Sequence, residues 1–257
     1  MGMKNISKLF FKDYYKNINF AYALKEEKDE KQNKTLSPVE SINQTIKRAE
    51  WFKIPKVELE SDSNCCTQPM RFKILYPGLV TGIGLVHDSK KIKGAFNLGM
   101  HFDYTYGMPV VYGSSVKGVL RHYFKEFYTG YIDKEKLEED IFSGITSDDK
   151  KKPIYERDIF FDAVIVETYK GRLLEDDSIT PHGDDPLKNP IPITMLKVAG
   201  GCVIEFRFCL RDSLVDGKKF TAKEKWECFK KILETVGVGA KTNIGYGQLK
   251  SVTSISW

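Results

Sequence analysis

The fold is decided by the stretch from Pro109 to Arg121, which reads PVVYGSSVKGVLR. Residues 109–112 are mostly apolar and partly β-branched, and they predict a strand. Gly113-Ser114-Ser115 then opens a helix. The apolar positions of that helix recur at helical spacing, at Val116, Val119, Leu120, Tyr123 and Phe127. A strand that passes directly into an amphipathic helix predicts a sheet with helices packed on it.

Further strands and one long helix follow this stretch. Residues 158–166 are almost continuously apolar and predict a central strand. The alternation over 204–210 predicts a half-exposed strand. Residues 221–224 form a capping box before the last helix, and 248–253 predict the last strand. The order strand, helix, strands, helix, strand after Met70 predicts an α+β domain of modified ferredoxin-like (RRM-like) type with loop insertions.

The chain divides into two predicted regions. Residues 1–69 are predicted to be an N-terminal helical extension that packs on the core, and its second helix is indicated by Ser37-Pro38-Val39-Glu40. Residues 70–257 are predicted to be the core domain. Within it, 79–85 predicts a strand, and 173–192, rich in Pro, Asp and Gly, predicts a protruding loop or hairpin.

Composition limits the classes of protein to which this chain can belong. Its 257 residues are 41% hydrophobic, which is enough for a substantial core, and the net charge of +5 permits an anionic partner. The five cysteines are odd in number and include no Cys-x-x-Cys pair, so we expect neither a disulfide framework nor a thiolate zinc site. No apolar run is long enough for a membrane span. We therefore expect a cytoplasmic protein.

The predicted helix start at Gly113 has the components of an anion site. A helix start exposes unpaired backbone amides and the positive end of the helix dipole, here at Gly113, Ser114 and Ser115. Lys117 and Arg121 lie four residues apart on one face of the helix and add positive charge. The alternative is that a serine merely caps the helix while both cations are solvated. The residues leave both interpretations open.

A second candidate anion site lies in the glycine-rich stretch 237–247, between the last helix and the last strand. Gly239 and Gly245 allow backbone conformations in which successive amides form a nest for a phosphate, while Lys241 adds charge and Thr242 a hydroxyl. The alternative is a simple helix C-cap and turn, which we prefer for Gly237 itself. A nucleotide-hydrolysing P-loop is not indicated, because the loop follows a helix and enters a strand.

The two motifs, in this order, closely resemble the RAMP superfamily of CRISPR-associated proteins. Within the superfamily, 96–104, 158–163 and 177–182 resemble the sixth-subunit family of the type III-B Cmr effector complex. The resemblance covers Met70 to the C-terminus. The first motif departs from the family pattern at Tyr112, where proline is expected.

The resemblance implies a non-catalytic protein without cofactor or metal that binds the guide RNA (crRNA) toward its 3′ side. Its other partners would be adjacent RAMP backbone subunits of the Cmr complex, with target RNA as a further candidate. We expect the two motifs to converge on one groove that holds the RNA backbone. The RNA-binding residues would be Gly113, Ser114, Ser115, Lys117, Arg121, Gly239, Lys241, Thr242 and Gly245.

The chief alternative is a metal-independent endoribonuclease of the same superfamily. That chemistry needs a general acid and base, usually histidine, and His122 next to Arg121 is the best candidate. No second acid or base is placed by spacing, so we expect no catalysis. His182 stands among acidic residues that could hold a metal, but acidic loops usually remain solvated. Tyr246 is a candidate for base stacking, with a core role as its alternative.

Overall fold

The computed structural model describes residues 5–16, 38–48, 68–82, 94–98, 100–180 and 192–252. The helices in this part of the chain are α1 (Ile6–Lys8, continued by a π-helix at Leu9–Asp13), α2 (Pro38–Lys47), α3 (Gly113–Phe127), α4 (Lys134–Glu138, continued by a π-helix at Glu139–Ser143) and α5 (Ala222–Val236). The strands are β1 (Met70–Ile74), β2 (Phe96–Leu98), β3 (Val110–Val111), β4 (Ile159–Phe160), β5 (Ala163–Glu167), β6 (Leu174–Ile179), β7 (Ile193–Val198), β8 (Val203–Phe206), β9 (Phe208–Cys209), β10 (Ser213–Val215), β11 (Lys218–Phe220) and β12 (Leu249–Ser251).

The main sheet has five strands in the order β12-β1-β8-β5-β3, and all neighbours are antiparallel. Leaving aside the edge strand β3, the chain order of its elements is β1, α3, β5, β8, α5 and β12. Two helices therefore connect strands of one antiparallel sheet. The fold is a mixed α+β fold with antiparallel sheets, as the sequence predicts.

The two faces of this sheet differ in burial. On β1, Met70, Phe72 and Ile74 are buried, whereas Arg71 and Lys73 point to the opposite face and are partly or fully exposed. The buried face joins the apolar side chains of α3 and α5 in the hydrophobic core, at Val116, Leu120, Phe124, Phe229, Ile232 and Leu233. The strand alternation thus separates a core face from an open face.

Helix α5 begins and ends where its sequence indicates. The Thr221 hydroxyl accepts a hydrogen bond from the Glu224 amide at 3.2 Å, and the Glu224 carboxylate accepts one from the Thr221 amide at 2.7 Å. This capping box satisfies amides that the first helical turn leaves unpaired. At the other end, the Gly237 amide donates to the Leu233 carbonyl at 3.0 Å. Both predicted ends of the helix are confirmed.

A second sheet, in the order β2-β7-β6, carries the predicted hairpin region and the N-terminal helices. Strands β6 and β7 are antiparallel, and residues 181–191 between them lie outside the described part. Phe10 of the π-helical turn after α1 packs 6.2 Å from Phe96 between ring centroids. Tyr14 donates its hydroxyl hydrogen bond to Asn43 of α2 at 2.9 Å. Both N-terminal helices pack on the core, while the boundary at residue 69 stays a prediction.

Three predicted strands differ from the structure. The predicted strand 158–166 is split into β4 and β5, because Asp162 turns its carboxylate to the start of α3. Of the predicted strand 79–85, Leu79 and Val80 form only isolated bridges, and 83–85 lie outside the described residues. Strand β8 was predicted to be half-exposed but is buried throughout, since Glu205 is covered together with its ion-pair partners.

The structure also shows the state of three cysteines and bears on the prediction that no segment spans a membrane. Cys209 is disulfide-bonded, a bond that the cysteine spacing did not indicate. Spacing along the sequence does not report which cysteines the fold brings together. Cys202 and Cys228 are free thiols, and burial raises the pKa of each to about 11. Over the described segments, the structure has no helix with the length and apolar character that a bilayer span requires.

Candidate nucleic-acid interface

Helix α3 starts directly against the link between β4 and β5. Gly113 is buried, and its amide donates to Asp162 Oδ1 at 2.7 Å. A Cβ at this position would collide with the carbonyl oxygen of Phe160, so only glycine allows this close approach. The carboxylate of Asp162 already accepts the hydrogen bond of the first amide of the helix. Gly113 therefore serves to position α3, and its amide is not free for an incoming phosphate.

The side chains that follow Gly113 are more accessible. Ser114 and Ser115 are exposed, and the Ser115 amide donates to the Tyr112 carbonyl at 2.8 Å. Lys117 is half-buried, with Nζ 5.8 Å from the centroid of the Phe160 ring. A cation above an aromatic face is stabilised by the ring quadrupole and remains available to a second partner from the other side. Lys117 is thus placed for an anion close to the start of α3.

Arg121 is engaged by an acidic partner. Its Nε lies 2.7 Å from Glu138 Oε1, and Lys125 reaches the other oxygen of the same carboxylate at 2.8 Å. Burial alone raises the pKa of Glu138, but hydrogen bonds from Lys125 and Arg121 outweigh it and hold the pKa below its usual value. Since Glu138 is ionised and bound to it, Arg121 has less charge to offer an incoming anion than Lys117 has.

The glycine loop, defined as residues 237–247, is held tightly at both ends. Gly239 and Gly247 have φ of 88° and 69°, in the region that favours glycine. A Cβ on Gly239 would collide with the Val80 carbonyl oxygen, and one on Gly247 with that of Val238. The Gly247 amide donates to the Gly78 carbonyl at 2.8 Å. These glycines let the loop run against neighbouring backbone.

Three backbone amides in the middle of the glycine loop have no hydrogen-bond acceptor in the described part of the chain. Lys241 has a left-handed backbone, φ 63° and ψ 32°, and a 3₁₀ turn at Thr242–Ile244 follows. The amides of residues 244–247 donate within the protein. Among the described residues, those of Lys241, Thr242 and Asn243 have no protein acceptor. A left-handed residue followed by right-handed ones forms a concave nest of amides that attracts anions. Lys241 adds a full positive charge at the same point.

A polar network fixes this loop to strands β6 and β7. The Tyr246 hydroxyl donates to Asp177 Oδ2 at 2.8 Å, and Lys197 Nζ donates to the same oxygen at 2.7 Å. Burial alone raises the pKa of Asp177, but these two hydrogen bonds outweigh it and lower the pKa below its usual value. Burial and then Asp177 raise the pKa of Tyr246 to about 12. Tyr246 is 6% exposed, so the structure gives it the core role.

The two predicted segments do not enclose one groove. The start of α3 lies beside the first residue of β5, whereas the glycine loop enters β12 beside the last residue of β1, Ile74. Strands β1 and β5 are both antiparallel to β8, so these are opposite ends of the sheet. The expectation of a shared groove is therefore wrong. Local spacing cannot report which end of a strand a distant loop will reach.

A continuous path of contacts nevertheless joins the two segments. Ala240 of the glycine loop donates its amide to the Val80 carbonyl at 2.8 Å. Thr81, the next residue, accepts a hydrogen bond from the His101 amide at 2.9 Å. The His101 ring stacks on Tyr112, immediately before α3, with 4.6 Å between centroids. Burial lowers the pKa of His101, which favours its neutral form on this path.

His122, the residue considered for catalysis, lies on α3, whereas Asp176 and Asp177, two of the aspartates considered for metal binding, lie on β6. His122 is exposed, and its ring meets the edge of Tyr123 at 4.7 Å. Within the described ranges, no three His, Cys, Asp or Glu side chains are grouped to hold a metal ion. Asp176 is paired with Lys47 at 2.9 Å, and Asp177 with Lys197. His182 and the aspartates that follow it lie outside the described residues.

Sequence reasoning missed the open face of the main sheet. Glu205 is fully buried there, and its two oxygens accept hydrogen bonds from Arg71 Nε at 2.7 Å and Arg207 Nε at 2.6 Å. Lys73 and Lys250 face each other across β1 and β12, and both are exposed. The alternation of apolar and basic residues over 70–74 is the sequence pattern that could have indicated this basic face. It shows that one face of this edge of the sheet is basic.

Comparisons with known proteins agree with the fold. Residues 71–250 match the RAMP superfamily. One chain of the cryo-EM structure of the type III-B Cmr-beta bound to cognate target RNA is 18% identical, with a TM-score of 0.62, over 97% of this chain and 95% of that chain. The crystal structure of Cmr6 from Pyrococcus furiosus is 21% identical, with a TM-score of 0.41, over 73% of this chain and 99% of that chain. Curated protein sequences gave no match.

Proposed function

The chain belongs to the RAMP superfamily, and from this premise we propose that it is a non-catalytic, crRNA-binding subunit of a cytoplasmic type III-B CRISPR-Cmr ribonucleoprotein. The similarity in fold to a chain of the Cmr-beta structure supports this assignment. So do the sequence features that resemble the sixth-subunit family. The strand order and the two helices between strands support a modified ferredoxin-like domain.

The observation that carries the proposal is the set of backbone amides at Lys241, Thr242 and Asn243 that have no acceptor in the described part of the chain. A phosphate seated in this nest receives several backbone hydrogen bonds and the charge of Lys241 at once. Backbone donors recognise every nucleotide equally, because the phosphate is the same in each. A subunit that holds guide RNAs of varying sequence requires a site of this kind.

The start of α3 provides a second, weaker contact. Lys117 lies in the first turns of α3, over the Phe160 ring, and supplies a positive charge for a phosphate near the start of this helix. Arg121 contributes less, because Glu138 binds it. Strand β1 has five residues and spans roughly 16 Å. A single RNA strand a few nucleotides long can therefore contact both ends of the sheet, and we assign its phosphates to the glycine loop and then to Lys117.

A role in binding without catalysis fits the surroundings of His122. Its ring packs on the neighbouring Tyr123, and an acid–base pair for RNA cleavage needs a second group within reach of the same ribose. In the proposed complex, adjacent RAMP backbone subunits are the protein partners, and target RNA is the second nucleic-acid partner. Cleavage then belongs to other subunits.

The test compares two charge reversals on the purified full chain. Lys241→Glu removes the cation at the nest, while Lys223→Glu alters the net charge equally at the far end of α5, about 22 Å away by helix length. One lost charge-assisted contact weakens binding of a single-stranded oligoribonucleotide by about tenfold. It also reduces the slope of log affinity against log salt by about 0.7. Equal affinities for both variants, with unchanged melting curves, would refute the glycine-loop site.

A further inference from the structure

Two exposed tyrosines lie near the end of β1, Tyr76 beside the glycine loop and Tyr169 beside Lys73. Tyr76 is 90% exposed, although the backbone on both sides of it is fixed. The Leu75 amide donates to the Gln248 carbonyl at 2.9 Å, and the Gly78 carbonyl accepts from Gly247 at 2.8 Å. An aromatic ring held at this degree of exposure has no role in the core. It is presented to solvent next to the amide nest.

The second tyrosine lies just across a glycine pair. A Cβ on Gly200 would lie 3.5 Å from the Tyr76 backbone, and one on Gly201 would lie 2.6 Å from the ring of Tyr169. The Gly200-Gly201 turn therefore passes between the two tyrosines and has no side chains that would separate them. Tyr169 is 36% exposed. The Tyr76 backbone and the Tyr169 ring therefore flank one short stretch of backbone.

Cations surround the second ring. Lys73 Nζ lies 5.8 Å and Lys170 Nζ 5.3 Å from the centroid of Tyr169, and Lys250 is paired in register with Lys73. All three lysines are exposed, and the acidic residues Glu167 at the end of β5 and Glu234, which accepts the Ser251 amide, are exposed as well. Three exposed positive charges grouped on this surface make the patch attractive to a polyanion.

We propose that Tyr76 and Tyr169 are stacking platforms for unpaired bases of the RNA whose phosphates the glycine loop holds, with Lys73 and Lys170 on its backbone. The inference rests on the proposed function and extends it from phosphates to bases. Aromatic rings within a basic surface are the usual means by which proteins bind single strands without sequence preference. The patch begins where the glycine loop ends, at the Leu75–Gln248 pairing.

The experiment uses the full chain and a single-stranded oligoribonucleotide that carries 2-aminopurine at successive positions. Stacking quenches its fluorescence, so the unaltered protein should quench it at two or more positions. Tyr76→Ala and Tyr169→Ala should each weaken binding by roughly tenfold and remove quenching at one position. Tyr76→Phe and Tyr169→Phe keep the ring and should bind within about twofold of the unaltered protein. On RNA made abasic at the quenched positions, the alanine variants and the unaltered protein should bind equally.

Failure of this inference is distinguishable from failure of the proposed function. If Lys241→Glu weakens RNA binding while both alanine variants bind and quench normally, the stacking proposal is overturned and the glycine-loop site stands. If none of the three variants changes affinity, both proposals fall. If the alanine variants bind RNA normally but lose association with a protein partner, the patch is a subunit contact and the stacking proposal is wrong.

Discussion

Replacing Lys225 with methionine tests how much a buried charge pair matters to this fold. Lys225 on α5 donates to Asp158 Oδ2 at 2.6 Å, and the two side chains are 1% and 3% exposed. Asp158 Oδ1 also accepts the Arg211 amide at 2.7 Å. Lys225→Met leaves a buried carboxylate without its cation, which costs about 3–5 kcal/mol. For a chain of this size, that corresponds to a melting temperature lower by roughly 6–20 °C.

The surface pair Lys136–Asp216 is a matched control. Its side chains are 44% and 52% exposed at a similar separation, 2.9 Å, so Lys136→Met should melt close to the unaltered protein. Asp158→Asn combined with Lys225→Met keeps an acceptor for Arg211 but removes the charge, and it should recover most of the loss.

Lowering the pH should increase the stability of the Lys225→Met variant. Burial raises the pKa of Asp158. In the variant, the folded state therefore holds a proton that the unfolded chain has released, so stability rises as pH falls through the folded pKa. Urea unfolding from neutral to mildly acid pH measures this trend. Equal, small losses for Lys225→Met and Lys136→Met at every pH would refute the reasoning.

Two further substitutions test the glycine loop. Gly247→Ala adds a Cβ that collides with the Val238 carbonyl at a φ of 69°, so it should lower the free energy of unfolding by about 3 kcal/mol or more. Gly171→Ala, with a φ of 75° and open space around it, should lower the free energy of unfolding by about 1 kcal/mol. Equal losses in urea unfolding would contradict the packing described for the loop. Tyr246→Phe removes the hydrogen bond to Asp177 and should cost about 1.5 kcal/mol at neutral pH. Because the folded-state pKa of Asp177 is depressed, this difference should fade as pH falls through that pKa, and a loss independent of pH would point to a different origin.

Much of the fold could be predicted from local patterns. The capping box at Thr221 and Glu224 specified the start of α5, because both hydrogen bonds form within one helical turn. The pattern around Gly113 likewise specified where β3 gives way to α3. In both places the interactions that decide the structure are close in sequence. Such interactions leave a pattern that can be recognised in a single chain.

Other features depend on contacts between distant residues and left no local pattern. Asp162 ends a strand prematurely because its carboxylate caps α3, 49 residues earlier. Lys225 is buried only because Asp158, 67 residues away, supplies the opposite charge. The separation of the start of α3 from the glycine loop follows from strand order, which no single motif encodes. No sequence pattern indicated that Tyr76 would be exposed, because the exposure of a side chain depends on how the whole chain folds around it.

Photo-crosslinking tests the central claim most directly. A single-stranded oligoribonucleotide carrying 4-thiouridine is bound to the full chain and irradiated, and the crosslinked peptides are identified by mass spectrometry. If the amides of residues 241–243 in the glycine loop hold the RNA backbone, the crosslinks will map to residues 239–245 and will disappear in Lys241→Glu. Crosslinks that map to α4 or the β10–β11 hairpin instead, and that persist in Lys241→Glu, would contradict the account.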